Sequence, residues 1–348
     1  MNNMELGSRK LHILQSIIDD YIASGEPVGS RTLAHKYGMG LSSATIRNEM
    51  ADLEDMGYLT QPHTSAGRIP SEKGYRLYVD RLMKVRALSD QEAESIKHLF
   101  DERVSRIEQV VHEAGTVLSD ITHYTAVMLG PQINRVRIRH IHLVPLDHEQ
   151  VLMVVVTNSG VIKDIVIRVT GGVQPAFLER ISNMLSERYS DSSLGDMGTD
   201  MVRDLQAHID RERDFFNAMV DAFTGTLHNQ EGRDVYLGGT ANIFNYPEYQ
   251  DILRARSFLN LMEKRNLLYE MLADLDQEGV SVTIGRENSI EELQEFSVVT
   301  ASYRAGGRVL GSIGLIGPTR MEYAKAVSAL DYVGRSLSQY LTDLLKKE

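Results

Sequence analysis

Apolar positions fall first at helical spacing, then alternate, and return to helical spacing near the end of the chain. Leu11, Leu14, Ile17, Ile18, Tyr21 and Ile22 lie three or four apart and predict a first helix with one buried stripe. Gly25 and Pro27 end it. Ser30 is placed to cap a short second helix over 31–37, with Leu33, Ala34 and Tyr37 turned inward. Gly38 and Gly40 supply a tight turn before the next helix.

The stretch from Leu41 to Met83 carries the most information. Ser42 or Ser43 can cap a third helix, whose apolar face is Ile46, Met50, Leu53 and Met56. Gly57 stops it, because glycine tolerates the left-handed conformation found just past helix ends. Residues 58–60 and 68–70 read as a strand and its return. Between them lies a polar tip with His63, Thr64 and Ser65, where Gly67 allows the turn. A further helix is predicted over 71–86, with Tyr75, Leu77, Tyr78 and Leu82 as apolar contacts. Helix, helix, helix and hairpin in this order describe a winged helix-turn-helix.

Opposite Ile46, the third helix presents Ala44 and Asn48, flanked by Thr45 and Arg47. Arginine can pair bidentately with guanine and asparagine with adenine, while Ala or Thr can touch a thymine methyl. An ordinary amphipathic surface helix would carry Arg and Asn equally well; the complete series of elements is what favours DNA reading. Ser43, Arg31, His63, Thr64 and Arg68 are the expected anchors on phosphates or in the minor groove.

Beyond this head, Ser89 can cap a long helix over 89–120. The period then changes to two, predicting strands at 125–129, 136–146, 151–157 and 161–169, the last two joined by an Asn158-Ser159-Gly160 turn. Residues 175–189 and 201–227 read as helices, 235–237 as a short strand, and 247–275 as one or two helices. Strands at 280–284, 297–303 and 308–316 and a closing helix at 321–346 follow. This layout predicts an α+β chain in which one domain is interrupted by an insertion. The apolar residues Leu205, Ile209, Phe215, Phe216, Met219 and Phe223 suit either a monomer core or a dimer surface.

Three separated segments resemble the HrcA family of bacterial heat-inducible transcription repressors. They are SSATIRNEMADLEDMGYLTQPHTSAGRIPSEKGYRLYVD in the head, LGGTANIFNYPEY from Leu237, and GSIGLIGPTRMEYAKAVSALDYV from Gly311. The resemblance implies a winged helix-turn-helix followed by a GAF-like α/β domain with an inserted, mostly helical dimerisation domain. In this sequence the expected divisions are 1–86, 87–171, 172–277 for the insertion, and 278–348. It also implies a homodimer that binds double-stranded DNA at an inverted-repeat operator upstream of chaperonin and Hsp70 operons. The chaperonin GroEL would modulate its activity.

Composition changes this picture in two places. The 348-residue chain has a net charge of −11, unusual for a nucleic-acid binder. Yet residues 1–86 carry 11 Lys and Arg against 10 Asp and Glu, a net of +1, which leaves −12 for the remainder. Such a head can still bind if Arg9, Lys10, Arg31, Arg47 and Arg68 cluster, while an acidic body suppresses non-specific binding. The absence of cysteine excludes disulfides, thiolate metal sites and cysteine nucleophiles. No apolar signal region or membrane-length run is read, so a cytoplasmic location is expected, without membrane contact.

Catalytic chemistry is not indicated. His140 and His142 share one face of a strand, as two metal ligands could, but no third ligand is placed; polar or partly buried side chains are the alternative. The paired glycines at 171–172, 238–239 and 306–307 match no phosphate-binding fingerprint. We expect a non-enzyme without a cofactor. A metabolite-gated repressor using a small-molecule site in the GAF-like domain is the main alternative. A GAF-like enzyme or nucleotide sensor is more distant.

Overall fold

The structure, a computed structural model, describes residues 6–37, 40–63, 67–101, 107–130, 137–157, 162–169, 173–192, 197, 218–219, 222, 235–273, 279–305 and 307–346. The head contains α1 (Ser8–Ser24), α2 (Ser30–Lys36) and α3 (Ser43–Asp55). A short antiparallel ribbon of β1 (Leu59–Thr60) and β2 (Ile69–Pro70) follows. Ile13, Leu14, Ile17 and Ile18 of α1 pack with Val28, Leu33, Ile46, Met50, Leu53 and Leu59 in one core. The centres of the predicted stripes are buried, whereas Leu11, Tyr21, Ile22, Ala34 and Tyr37 are half-buried, and Met56 caps the C-terminal end of α3 and is exposed. Ser30 does not cap α2: Gly29 holds the cap position and no side chain bonds there.

α4 (Glu72–Leu77) starts at Ser71, whose hydroxyl accepts from the Gly74 N–H at 3.1 Å. It continues as a wide π turn over Tyr78–Leu82 and ends there, short of the expected residue 86. Ser89 and Glu92 then form a reciprocal cap: the Ser89 N–H donates to the Glu92 carboxylate at 2.8 Å, and the Ser89 hydroxyl accepts from the Glu92 N–H at 3.3 Å. The helix expected over 89–120 is described in two pieces, α5 (Asp90–Asp101) and α6 (Ile107–Thr122).

The body contains β3 (Thr125–Leu129), β4 (Ile138–Pro145), β5 (Gln150–Thr157), β6 (Ile162–Arg168), α7 (Pro175–Tyr189) and β7 (Val235–Gly238). Then come α8 (Ile252–Glu263), α9 (Arg265–Ala273), β8 (Val280–Ile284), β9 (Phe296–Ala305), β10 (Arg308–Pro318) and α10 (Tyr323–Lys346). The strands form two separate antiparallel sheets, ordered β7-β3-β10-β9-β8 and β4-β5-β6. All five residues of β3 are buried, because the larger sheet is covered on both faces. Ala126 and Met128 face the core shared with α6 and α10, while Val127 and Leu129 face the core of α8 and α9.

The first four predicted strands thus do not share a sheet. β3 pairs directly with β7, Ala126 opposite Gly238 and Leu129 opposite Val235, so the chain between them leaves one sheet edge and returns to it. β4, β5 and β6 belong instead with α7, against which Ile141, Leu143, Met153, Val155, Ile165 and Ile167 pack. The Asn158-Ser159-Gly160 turn lies outside the described residues, as does the predicted 201–227 helix apart from 218, 219 and 222. Met219 is buried; Leu205, Ile209, Phe215, Phe216 and Phe223 lie outside the described residues. Mixed helix and antiparallel sheet make this an α+β protein. Among the described residues no helix is long and apolar enough to cross a membrane.

Candidate nucleic-acid interface

α3 begins at Ser42. Its hydroxyl accepts from the Thr45 N–H at 3.1 Å and lies 2.9 Å from the Thr45 hydroxyl. Ser42, not Ser43, is therefore the cap, and Thr45 is partly engaged in it. Ser43 is half-buried, whereas Ala44, Arg47 and Asn48 are exposed together over the first two turns. Arg47 and Asn48 make no ion pair or hydrogen bond among the described residues. Arg31 stands exposed in the first turn of α2, and α2 and α3 pack directly on one another. His63 is exposed at the ribbon; Thr64 and Ser65 lie outside the described residues.

Three acids of α3 are neutralised by cations. Glu49 is 7% exposed and takes Arg9 Nε at 2.7 Å and Lys10 Nζ at 2.6 Å. Lys10 also reaches Asp52 at 2.7 Å, and its hydrogen bonds to Asp52 and Glu49 raise its pKa above the usual lysine value. Arg68 Nη2 pairs with Glu54 at 2.7 Å, with only 19% of the Arg68 side chain exposed. Its backbone exchanges two 2.9 Å hydrogen bonds with Val28, fastening the ribbon to the segment between α1 and α2. The chain comes so close there that a Cβ on Gly67 would lie 2.4 Å from the Val28 carbonyl oxygen.

The five cations expected to cluster therefore divide. Arg9, Lys10 and Arg68 are held by acids of α3, which leaves Arg31 and Arg47 displayed. The physical reason is that Glu49 is buried and needs counter-charges, while Asp52 and Glu54 stand within reach of Lys10 and Arg68. Missing from the sequence reading are the residues that seat the head. Arg320, 7% exposed, donates Nη1 to the Ile22 carbonyl at 3.0 Å and Nη2 to Glu248 at 3.1 Å. Arg76 donates Nε to Glu287 at 2.8 Å and Nη2 to the Val282 carbonyl at 2.6 Å. A single cation amid the apolar and glycine residues of GSIGLIGPTRMEY was a usable sign of a buried ion pair.

Metal chemistry finds no support among the described residues, where no group of three His, Asp or Glu is placed to hold an ion. The His140 and His142 rings are 6.1 Å apart and exposed on the outer face of the three-stranded sheet.

Comparison with known proteins matches residues 108–327 to the family described as HrcA protein C terminal domain. The Heat-inducible transcription repressor HrcA of Acetivibrio thermocellus is 43% identical over 99% of both chains. That of Ruminiclostridium cellulolyticum is 42% identical over 98% of this chain and 99% of its own. Among solved structures, the crystal structure of a hypothetical protein at 2.2 Å resolution superposes with a TM-score of 0.69 at 25% identity, over 98% of this chain and 100% of that one. The chain belongs to the HrcA family of heat-inducible transcription repressors.

Proposed function

We propose that this chain is a cytoplasmic homodimer that represses chaperone operons by binding an inverted-repeat operator through a winged helix-turn-helix. The observation that carries this reading is the displayed, unpartnered group of Ala44, Arg47 and Asn48 on a capped α3 beside Arg31. Arg47 and Asn48 read base edges, with Ala44 and Thr45 close enough for methyl contacts. Ser43, Arg31, His63, Thr64 and Ser65 anchor the backbone. Arg68 supports the ribbon, and its charge is already shared with Glu54.

The dimer reading draws on the three-stranded sheet. One face packs on α7. The other carries Val144, Leu152, Val154, Val156 and Val166, interleaved with His140, His142 and Asp164, and Val144 is 45% and Val166 47% exposed. A second copy of the chain would bury this face, and a two-fold axis would set two α3 helices against a palindrome. We place the insertion between β3 and β7, earlier than the expected 172–277, inside a GAF-like domain made of the five-stranded sheet and its helices.

GroEL enters as the regulator. A β-rich body whose β3 pairs with β7 across more than a hundred intervening residues folds through long-range contacts. Such chains expose apolar surface while folding and suit a chaperonin. The test is a DNA titration of the purified chain on an inverted-repeat duplex and a scrambled control, with and without chaperonin and ATP, at several salt concentrations. Sequence-dependent binding that the chaperonin increases supports the reading; a folded dimer without preference overturns it.

A ligand-gated version rests on a groove of about 440 Å³ between β9 and α10, lined by Ser302, Arg304, Asp331, Arg335 and Ser338. Operator binding that appears only on adding a small molecule would favour it, because a ligand must prefer one conformation to shift a population.

A further inference from the structure

We propose that Arg76 and Arg320 are positioning residues that fix the angle at which α3 stands on the five-stranded sheet, and with it the half-site spacing a dimer accepts. This rests on the DNA-binding reading above. The mechanical path begins at the C-terminal end of α3. The Ser71 hydroxyl donates to the Gly57 carbonyl at 2.6 Å and Lys73 Nζ donates to the Met56 carbonyl at 2.8 Å. The Lys73 ammonium also stands 4.3 Å from the Tyr58 ring centroid. α3 and α4 therefore move together.

α4 is in turn fastened to the body. Arg76 grips both carboxylate oxygens of Glu287 and the Val282 carbonyl of β8. The Glu287 carboxylate also accepts from the Ile284 N–H at 2.8 Å, so it is aimed before Arg76 arrives. Beside it the Arg286 N–H donates to Glu72 at 3.3 Å, and a Cβ on Gly285 would lie 2.2 Å from that carboxylate. Close backbone approach is thus part of the joint.

Arg320 makes a second joint under α1. Its guanidinium holds the Ile22 carbonyl in the last turn of α1, where helix carbonyls lack intrahelical partners, and it pairs with Glu248. It also lies 5.7 Å from the Tyr246 ring centroid. Between head and body, Tyr75 is 2% exposed against Tyr323, ring centroids 5.9 Å apart, and its hydroxyl has no hydrogen-bond partner among the described residues. An unpaired buried hydroxyl costs free energy, so it works against the closed seam and leaves more of the closure to the two arginines. Two joints on different helices remove the rotation that one would allow.

In a two-fold dimer the separation of the α3 helices must match successive major grooves, about 34–36 Å apart or a multiple of that. A head that swivels still reads one half-site but accepts other spacings. Arg320→Ala would strand Glu248 in a partly buried seam and risk unfolding, so the second joint is tested with Glu248→Gln. The wild-type chain selects its inverted repeat from a randomised duplex pool. Titrations then use that duplex with the spacer lengthened by one to about five base pairs, close to half a helical turn. We expect the wild-type affinity to fall by about 100-fold across the series, and that of Arg76→Ala and Glu248→Gln by about tenfold or less. Arg76→Lys, which keeps the charge and one donor, recovers part of the discrimination. Folding is checked by thermal melting of each variant. Folded variants that keep the wild-type spacing profile overturn the inference alone. A wild-type chain that selects no inverted repeat overturns the DNA reading and this inference together.

Discussion

On α3, Arg47 and Asn48 reach solvent without a partner among the described residues, whereas Ile46, Met50 and Leu53 are buried and the acids Glu49, Asp52 and Glu54 are each held by a cation. The same 13-residue helix is thus a committed structural element on one side and an open surface on the other. The difference teaches that stability and operator affinity are separable by mutation within one helix. It also shows that counting basic residues overstates what the head offers DNA. Three of the five candidate cations neutralise the helix that carries the proposed readers.

The largest effect belongs to the committed side. Leu53 is fully buried, so Leu53→Ala should destabilise the head by about 2–5 kcal/mol, measured by denaturant unfolding. Arg47→Ala lies at the other pole. It should cost about 1–3 kcal/mol of operator affinity if Arg47 reads a guanine, with stability changed by less than about 0.5 kcal/mol. A melting point that falls as far for Arg47→Ala as for Leu53→Ala would break the comparison.

The proposed dimer face allows a similar contrast. Leu152→Lys places a charge between Val144 and Val166 on the outer face of the three-stranded sheet, and sedimentation should show dimerisation weakened by about 1–3 kcal/mol. The buried face of the same strand, at Met153 or Val155, should respond in folding rather than in assembly. A smaller effect is expected at Arg68. Arg68→Ala should cost about 1 kcal/mol of head stability through loss of the Glu54 pair, without altering the salt slope of DNA binding.

Acidification should sharpen the view of the seam with the smallest effect. Partial burial opposes ionisation of Glu287, but hydrogen bonds from Arg76 and the Ile284 N–H outweigh it and hold its pKa below the usual carboxylate value. A lowered folded-state pKa means that this contribution is complete above the unfolded value of about 4.3 and is lost as pH falls through the folded value. Glu287→Gln should flatten that part of the pH–stability profile.

Much of this was legible in the chain. The stripes of α1 and α3 follow helical spacing because packing dictates it, and Ile46, Met50 and Leu53 are buried as read. Met56 is not, since it falls at the cap where α3 leaves the core. The strands at 136–169 were recognisable by alternation, but alternation does not say which sheet a strand joins. That was decided by the long-range pairing of β3 with β7. At the candidate interface, exposure of Asn48 follows from its place opposite Ile46, and that of Arg47 from its place beside Asn48. The diversion of Arg9 and Lys10 did not follow, because ion pairing across 39 or more residues depends on tertiary contact, and that of Arg68 depends on how the ribbon folds back on α3. Arg76 and Arg320 escaped for the same reason: Glu287 is 211 residues from Arg76 in sequence, and Ile22 is 298 from Arg320.

The most direct measurement is the ratio of affinities for the selected inverted repeat and a scrambled duplex, taken for the wild-type and Arg47→Ala chains at one salt concentration. The account predicts that Arg47→Ala lowers the ratio by about tenfold or more while binding to the scrambled duplex changes little. An equal loss on both duplexes would make Arg47 a phosphate contact and contradict the claim that α3 reads the operator.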